Sequence, residues 1–120
     1  RGGLFPAMTA LYRPFDVVAV AIGEGGDAKR RPALVVSTPE FERSTGLVWV
    51  AMITVADKDH RFGDIAVSDQ TAAGLPAPST IRASKLATLS VSKIMRRLGA
   101  LGEADRVGAR IALRAAAGFF

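Results

Sequence analysis

A mainly β, α+β domain is predicted: a small, partly closed β-barrel with one helix at its C-terminal end. Three observations predict it. The first ninety residues carry several short runs rich in β-branched residues, punctuated by Gly, Pro and charged segments. One run, 47–55 (LVWVAMITV), is apolar on both faces, as a central strand is. The last stretch, 103–117, switches to helical periodicity.

The elements follow in order. Residues 15–22 (FDVVAVAI) read as a strand, and 23–30 (GEGGDAKR) as a flexible, charged loop weakened by its glycines. A second strand spans 32–37 (PALVVS), with proline tolerated at its first position. After a polar connector at 39–46 comes the central strand. Residues 56–62 (ADKDHRF) are a charged loop, 64–67 a short strand, and 69–78 a turn-rich connector holding Gly74, Pro76 and Pro78. Residues 80–89 (TIRASKLATL) alternate imperfectly but read as a strand, with Arg82, Ser84, Leu86 and Thr88 on one face and Ile81, Ala83, Lys85 and Ala87 on the other. Lys85 would join the first face only through a bulge. Ser90 is expected to cap a short helical stretch through Arg97 that Gly99 ends. In the terminal helix, Ala104, Val107, Ile111 and Ala115 form the apolar stripe, and Arg106, Arg110 and Arg114 a separate, solvated one.

Composition narrows the function classes. The chain of 120 residues suffices for one domain, and no repeat or second domain is visible. Sixteen Lys and Arg against eleven Asp and Glu give +5, which favours polyanionic partners: nucleic acid or an acidic protein segment. Zero cysteines exclude disulfides, thiolate catalysis and Cys-ligated metals, and fit a reducing cytoplasm. No apolar run approaches the roughly 18 residues of a membrane span, and no secretion leader is evident. Arg1 to Ala7 has little pattern; Met8 is expected to be the natural start and the segment before it not native.

Four signals in order carry a family resemblance. Arg13-Pro14-Phe15-Asp16-Val17-Val18 stands where the family opens with an Arg-Gly-Asp-Val strand. A flexible loop and Arg31-Pro32-Ala33-Leu34-Val35-Val36-Ser37 follow. Met52-Ile53-Thr54 ends the third strand, and Gly74-Leu75, Ser79 and Ile81-Arg82 come next, before a segment ending at Leu98-Gly99 and the terminal helix. From Arg13 to Ala117 the chain resembles the MazF/PemK toxins. The resemblance implies an SH3-like barrel with a C-terminal helix, and a homodimer crossed by single-stranded RNA. It further implies metal-free cleavage by the substrate's 2′-hydroxyl, leaving a 2′,3′-cyclic phosphate and a 5′-hydroxyl end. No cofactor is implied. A cognate antitoxin with an acidic, disordered tail, and a bacterial cytoplasmic setting, also go with it.

Site residues are carried over one by one. Arg31 is the expected charge-neutralising group, since a guanidinium grips phosphate bidentately and stays charged. Thr54 matches the family threonine that touches the reacting phosphate, and Arg82 completes the expected catalytic set. Some family members place an aspartate two residues after that arginine as general base. Here Ser84 stands there, and its hydroxyl is no base near neutral pH, so the base is open. His60, the sole histidine, is a candidate general base, because imidazole is the side chain best suited to proton transfer near neutral pH. Lys29, Arg30, Lys58 and Arg61 are candidate backbone-phosphate contacts. Ser79 and Ser84 are candidate RNA contacts, Phe62 a candidate base-stacking ring, and Trp49 is expected in the core or at a dimer interface. Two alternatives stay open. The CcdB toxins share the barrel and bind gyrase, but use a C-terminal Trp-Gly-Ile where this chain ends Gly118-Phe119-Phe120. A MazF-like protein that binds antitoxin or RNA without cutting is the other.

Overall fold

The computed structural model describes residues 11–23, 25–56 and 59–118. Lys58, the segment before Met8 and the terminal Phe119 and Phe120 lie outside them. The strands are β1 (Asp16–Ile22), β2 (Lys29–Val35), β3 (Leu47–Val55), β4 (Asp64–Ala66), β5 (Ser79–Ser90) and β6 (Ile94–Ala100). The helices are α1 (Pro39–Thr45), α2 (Gln70–Ala73) and α3 (Glu103–Ala117), with 3-10 turns at Gly25–Asp27 and Val91–Lys93. All six strands form one antiparallel sheet in the order β4-β5-β3-β2-β1-β6, curled but not closed. No helix among the described residues is long and apolar enough to cross a membrane.

Strand alternation sorts the core into two clusters. Val17, Leu34, Ala51, Ile53 and Ile81 point to one face, where Ala109 and Leu113 of α3 cover them. Val18, Val20, Ala33, Val35, Val48 and Val50 point to the other, with Ile94 of β6. Both faces of the central strand β3 are therefore buried within one chain.

Five elements differ from the expectations. The polar connector at 39–46 contains α1: the Phe41 N–H donates to the Thr38 hydroxyl, Pro39 opens the helix, and Gly46 ends it with φ 72°. Lys29, Arg30 and Arg31 belong to β2 rather than to the preceding loop, paired with Ile22, Ala21 and Val20 of β1. The connector after β4 holds the single turn α2. Ser90 caps only the turn Val91–Lys93; the rest of the expected helix is the strand β6, which pairs along β1. On α3 the buried positions are Asp105, Ala109 and Leu113. Val107 (47%) and Ile111 (65%) are exposed, so the expected apolar stripe faces outward. The helix instead seats Ala109 and Leu113 in the core, with Asp105 held by Ser68 and Asp69 at its start.

Phe15 holds φ 78° at the third position of a turn closed by Asp16 N–H donating to the Arg13 carbonyl (3.1 Å). Glycine adopts this conformation freely, whereas for Phe15 the strain costs on the order of 1 kcal/mol. Phe15 offsets it by packing on the core and lying under the guanidiniums of Arg110 (5.1 Å) and Arg106 (5.8 Å). Two of the three stripe arginines are thus stacked on an aromatic ring.

Two interlocks hold the C-terminal half. A Cβ on Gly74 would run into the Leu98 carbonyl, and one on Gly99 into the Ala72 carbonyl, so α2 lies directly on β6. At the start of α3, the buried Asp105 carboxylate accepts from the Ser68 N–H (3.0 Å), Ser68 hydroxyl (2.7 Å) and Asp69 N–H (2.9 Å). Burial alone would push its pKa up, but these three hydrogen bonds prevail and hold it below the ordinary carboxylate value. Across β4 and β5, Asp64 stands opposite Arg82, with Nη2 3.9 Å from Oδ2 and both side chains almost fully buried. The Arg61 N–H also donates to Asp64 Oδ2 (2.9 Å).

Asp105→Ala should lower the unfolding free energy by about 2–4 kcal/mol in denaturant melts, because three donors lose a buried charged acceptor. The folded pKa lies below the unfolded one. The carboxylate's contribution is therefore full above the unfolded carboxylate range and is lost as pH falls through the folded pKa. The variant should accordingly lose less stability than the wild type on acidification below about pH 4; parallel pH curves would refute this role. Asp64→Ala should cost about 3 kcal/mol by taking the adjacent carboxylate from a buried guanidinium, and adding Arg82→Met should recover most of it. A double variant no more stable than the single one would show that the pair is not the source of the loss.

Candidate RNA-binding cleft

The cleft begins where two strands part. The β2–β3 ladder pairs Val35 with Val50, Leu34 with Ala51 and Ala33 with Met52, and ends there. Beyond it, β2 stays paired to β1 back to Lys29, while β3 stays paired to β5 out to Val55. Pro32, without an N–H, stands at the fork. Arg31 is on one lip of the parting, with Thr54 on the other.

A second irregularity lies at the same level. The partner of Ala51 on β5 is Leu86, but that of Met52 is Arg82, so Ala83, Ser84 and Lys85 have no opposite residue on β3. This three-residue bulge breaks the expected alternation. Ser84 is exposed and Lys85 turns to the same hollow as Arg82.

Two cavities flank the fork, sharing Arg31, Ile53 and Thr54 in their walls. The first, about 330 Å³, is a cationic hollow bordered by Arg31, Arg61, Arg82 and Lys85, with Thr54 the hydroxyl among them. Arg82 is only 4% exposed and reaches the hollow from beneath, backed by the Asp64 carboxylate and with Nη2 near the Asp59 carbonyl (3.4 Å). The second, about 450 Å³, is a largely apolar trough. Its walls include Pro32, Leu75 and Leu98, while Arg30 and Arg96 border it. Ser79 also lines this trough, but its hydroxyl is spent on the Ala77 carbonyl (2.9 Å).

The expected catalytic set, Arg31, Thr54 and Arg82, therefore comes together around one hollow, and Arg61 joins it. Arg30 and Ser79 line the neighbouring trough. Lys29, His60, Phe62 and Ser84 are exposed and line neither cavity. Trp49 is not enclosed in the core; it is 38% exposed and packs in a tilted pair with Phe41, ring centroids 4.6 Å apart. Arg96 and Asp64 were not anticipated, and Lys85 was expected at the site only if a bulge intervened, as one does. Arg96 was hidden by reading β6 as helix. Asp64 could have been suspected as the lone acid of a short strand beside an arginine-bearing one.

A chain with these cations on a forked β-sheet can hold a polyanion and neutralise charge on a phosphoryl group. Comparison with known proteins agrees with the architecture. The crystal structure of MazE-MazF from Deinococcus radiodurans aligns with a TM-score of 0.74 at 18% identity, over 92% of this chain and 100% of that one. A mycobacterial endoribonuclease in complex with its cognate antitoxin gives 0.71 at 22% identity, over 91% and 97%. In sequence, the probable endoribonuclease MazF of Mycolicibacterium smegmatis is 29% identical over 92 residues, 77% of this chain and 84% of that protein. The model of the PemK-like, MazF-like toxins matches residues 13–116, from the turn before β1 almost to the end of α3. The forked sheet and its cationic hollow are thus set in a chain that belongs to the PemK-like, MazF-like toxins of type II toxin–antitoxin systems.

Proposed function

We propose that this protein is a toxin endoribonuclease that cuts single-stranded RNA without a metal. The 2′-hydroxyl attacks the adjacent phosphorus, leaving a 2′,3′-cyclic phosphate and a 5′-hydroxyl end. The observation that carries the reading is the convergence of Arg31, Thr54, Arg61 and Arg82 on one hollow at the fork. RNA brings its own nucleophile, so the protein's tasks are to orient the phosphate, neutralise the charge that builds on its oxygens, and manage protons. Arg31, on the open lip, is suited to clamp two phosphoryl oxygens. A guanidinium holds its proton too tightly to be a good donor, so its part is electrostatic. Thr54 can donate its hydroxyl to a non-bridging oxygen. Arg82 adds positive potential from below, and Arg61 and Arg30 continue it along the strand, giving affinity without sequence choice.

Family membership and the endoribonuclease–antitoxin and MazE-MazF complexes among the similar structures support a cognate antitoxin as the protein partner. An acidic, disordered antitoxin tail would complement the cations of the hollow. The homodimer rests on family membership, because both faces of β3 are already buried within one chain. A bacterial cytoplasm is the setting that goes with this reading.

Purified, antitoxin-free protein should cut a long single-stranded RNA into discrete fragments in EDTA, with 5′-hydroxyl ends. Arg31→Ala should cut on the order of 10² to 10³ times more slowly, with a smaller change in binding. RNA left intact by folded wild type would move the reading to a binding-only toxin fold, and undiminished cutting by the variant would remove Arg31 from the site. Arg61→Ala should weaken RNA binding across sequences and reduce the slope of log affinity against log salt by about 0.7; an unaltered slope would mean that Arg61 touches no phosphate.

A further inference from the structure

We propose that Lys85 is the general acid that protonates the 5′-oxygen leaving group. The proposal rests on the endoribonuclease reading and adds to it the group that handles the leaving group's proton. Regular alternation would turn Lys85 away from Arg82. The bulge at Ala83–Lys85 turns it inward, so that it borders the hollow with Arg31, Thr54 and Arg82.

Chemistry then singles it out. Among the described residues, the proton-bearing side chains around the hollow are three guanidiniums, one hydroxyl and one ammonium. Of these an ammonium is the strongest acid, and it is protonated before the reaction begins. Arg82 is further committed by its buried pairing with Asp64. His60 and Ser84 line neither cavity. Lys85 is exposed and carried on a flexible stem, so it can follow the oxygen as the P–O5′ bond lengthens.

The step balances. The 2′-oxygen forms a bond to phosphorus and its proton passes to a water molecule. The P–O5′ bond breaks, its electron pair stays on O5′, and that oxygen takes a proton from the Lys85 ammonium. The neutral amine recovers a proton from the hydronium ion, and no water is consumed.

The test uses paired RNA substrates that differ at one bond the wild type cuts: one with the natural 5′-oxygen, the other with sulfur in its place. A thiolate leaves without being protonated, so it bypasses a general acid. At saturating protein, Lys85→Met and Lys85→Arg should cut the oxygen substrate about 10²-fold more slowly than wild type. Both should cut the sulfur substrate at nearly the wild-type rate. Lys85→Arg keeps the positive charge, so its defect on oxygen separates proton donation from charge. Equal defects on both substrates would make Lys85 a phosphate contact and overturn the proposal, as would an unchanged rate on oxygen. Melting temperature and RNA affinity of the variants show whether a slow rate is a folding defect; rescue by sulfur in the same preparation excludes that origin. A folded wild type that cuts neither substrate overturns the endoribonuclease reading itself, and the proposal with it.

Discussion

The parting of β2 and β3 beyond Ala33 and Met52 is the constraint on which the site depends. A sheet that stayed paired to its ends would place Arg31 and Thr54 side by side on a flat ladder with no cavity between them. Parting them leaves edge groups without strand partners, which is unfavourable wherever water is excluded. The fork is tolerable because each strand keeps its other neighbour: β1 for β2, β5 for β3. Just short of the fork, Leu34, Val35, Val50 and Ala51 are wholly buried, and beyond it Ile53 and Ile81 keep β3 and β5 anchored in the core. The β5 bulge at the same level is the companion event. Together they turn one strand end into two lips and a floor.

Gathering cations around the hollow works against folding, since like charges repel at close range. The arrangement limits the cost in two ways. Arg82, the buried member, has the Asp64 carboxylate beside it, while Arg31, Arg61 and Lys85 remain exposed, where water and salt screen them. The residual repulsion is relieved when a polyanion enters, so ligand binding and stability are linked at this point. The trough next door is held by different means. Gly74 and Gly99 let the α2 turn lie on β6, and Asp105 ties the start of α3 to Ser68 and Asp69. Neither tie involves the cations, so charge at the site and packing around it are separable.

Much of the fold was legible because it follows from period-2 apolar runs. β1, β3, β4 and β5 stand close to where alternation and turn residues put them, and Arg31 and Thr54 came with the Arg-Pro and Ile-Thr signals. What escaped has physical causes. The seven-residue helix α1 is too short for periodicity, although Thr38-Pro39-Glu40 and Gly46 mark its two ends. β6 is an edge strand whose Arg96 and Arg97 guard it against further pairing, and that charge disguised it as a helix turn. Arg97 is held by Asp16, 81 residues away in sequence, a contact no local pattern reveals. On α3 the larger apolar side chains misled: Leu113, Ala109 and the hydrogen-bonded Asp105 form the buried face, leaving Val107 and Ile111 outside. Lys85 depended on a bulge, and three-residue bulges leave no sequence signature of their own.

Nothing in the pairing of β3 alone would keep that bulge in place, since unpaired residues can migrate along a strand. The short strand β4 supplies the restraint. Asp64, Ile65 and Ala66 pair with Arg82, Ile81 and Thr80, so β4 grips β5 immediately ahead of the bulge. A slip of one residue would swing Arg82 to the opposite face and move Ile81 out of the core. It would also leave the Asp64 carboxylate buried without its cation, a loss of several kcal/mol. A buried ion pair of this kind adds little to net stability, yet it penalises the wrong register heavily. Asp64 thus acts on the hollow from behind: by holding Arg82 where it is, it keeps the three bulged residues in register and Lys85 turned inward.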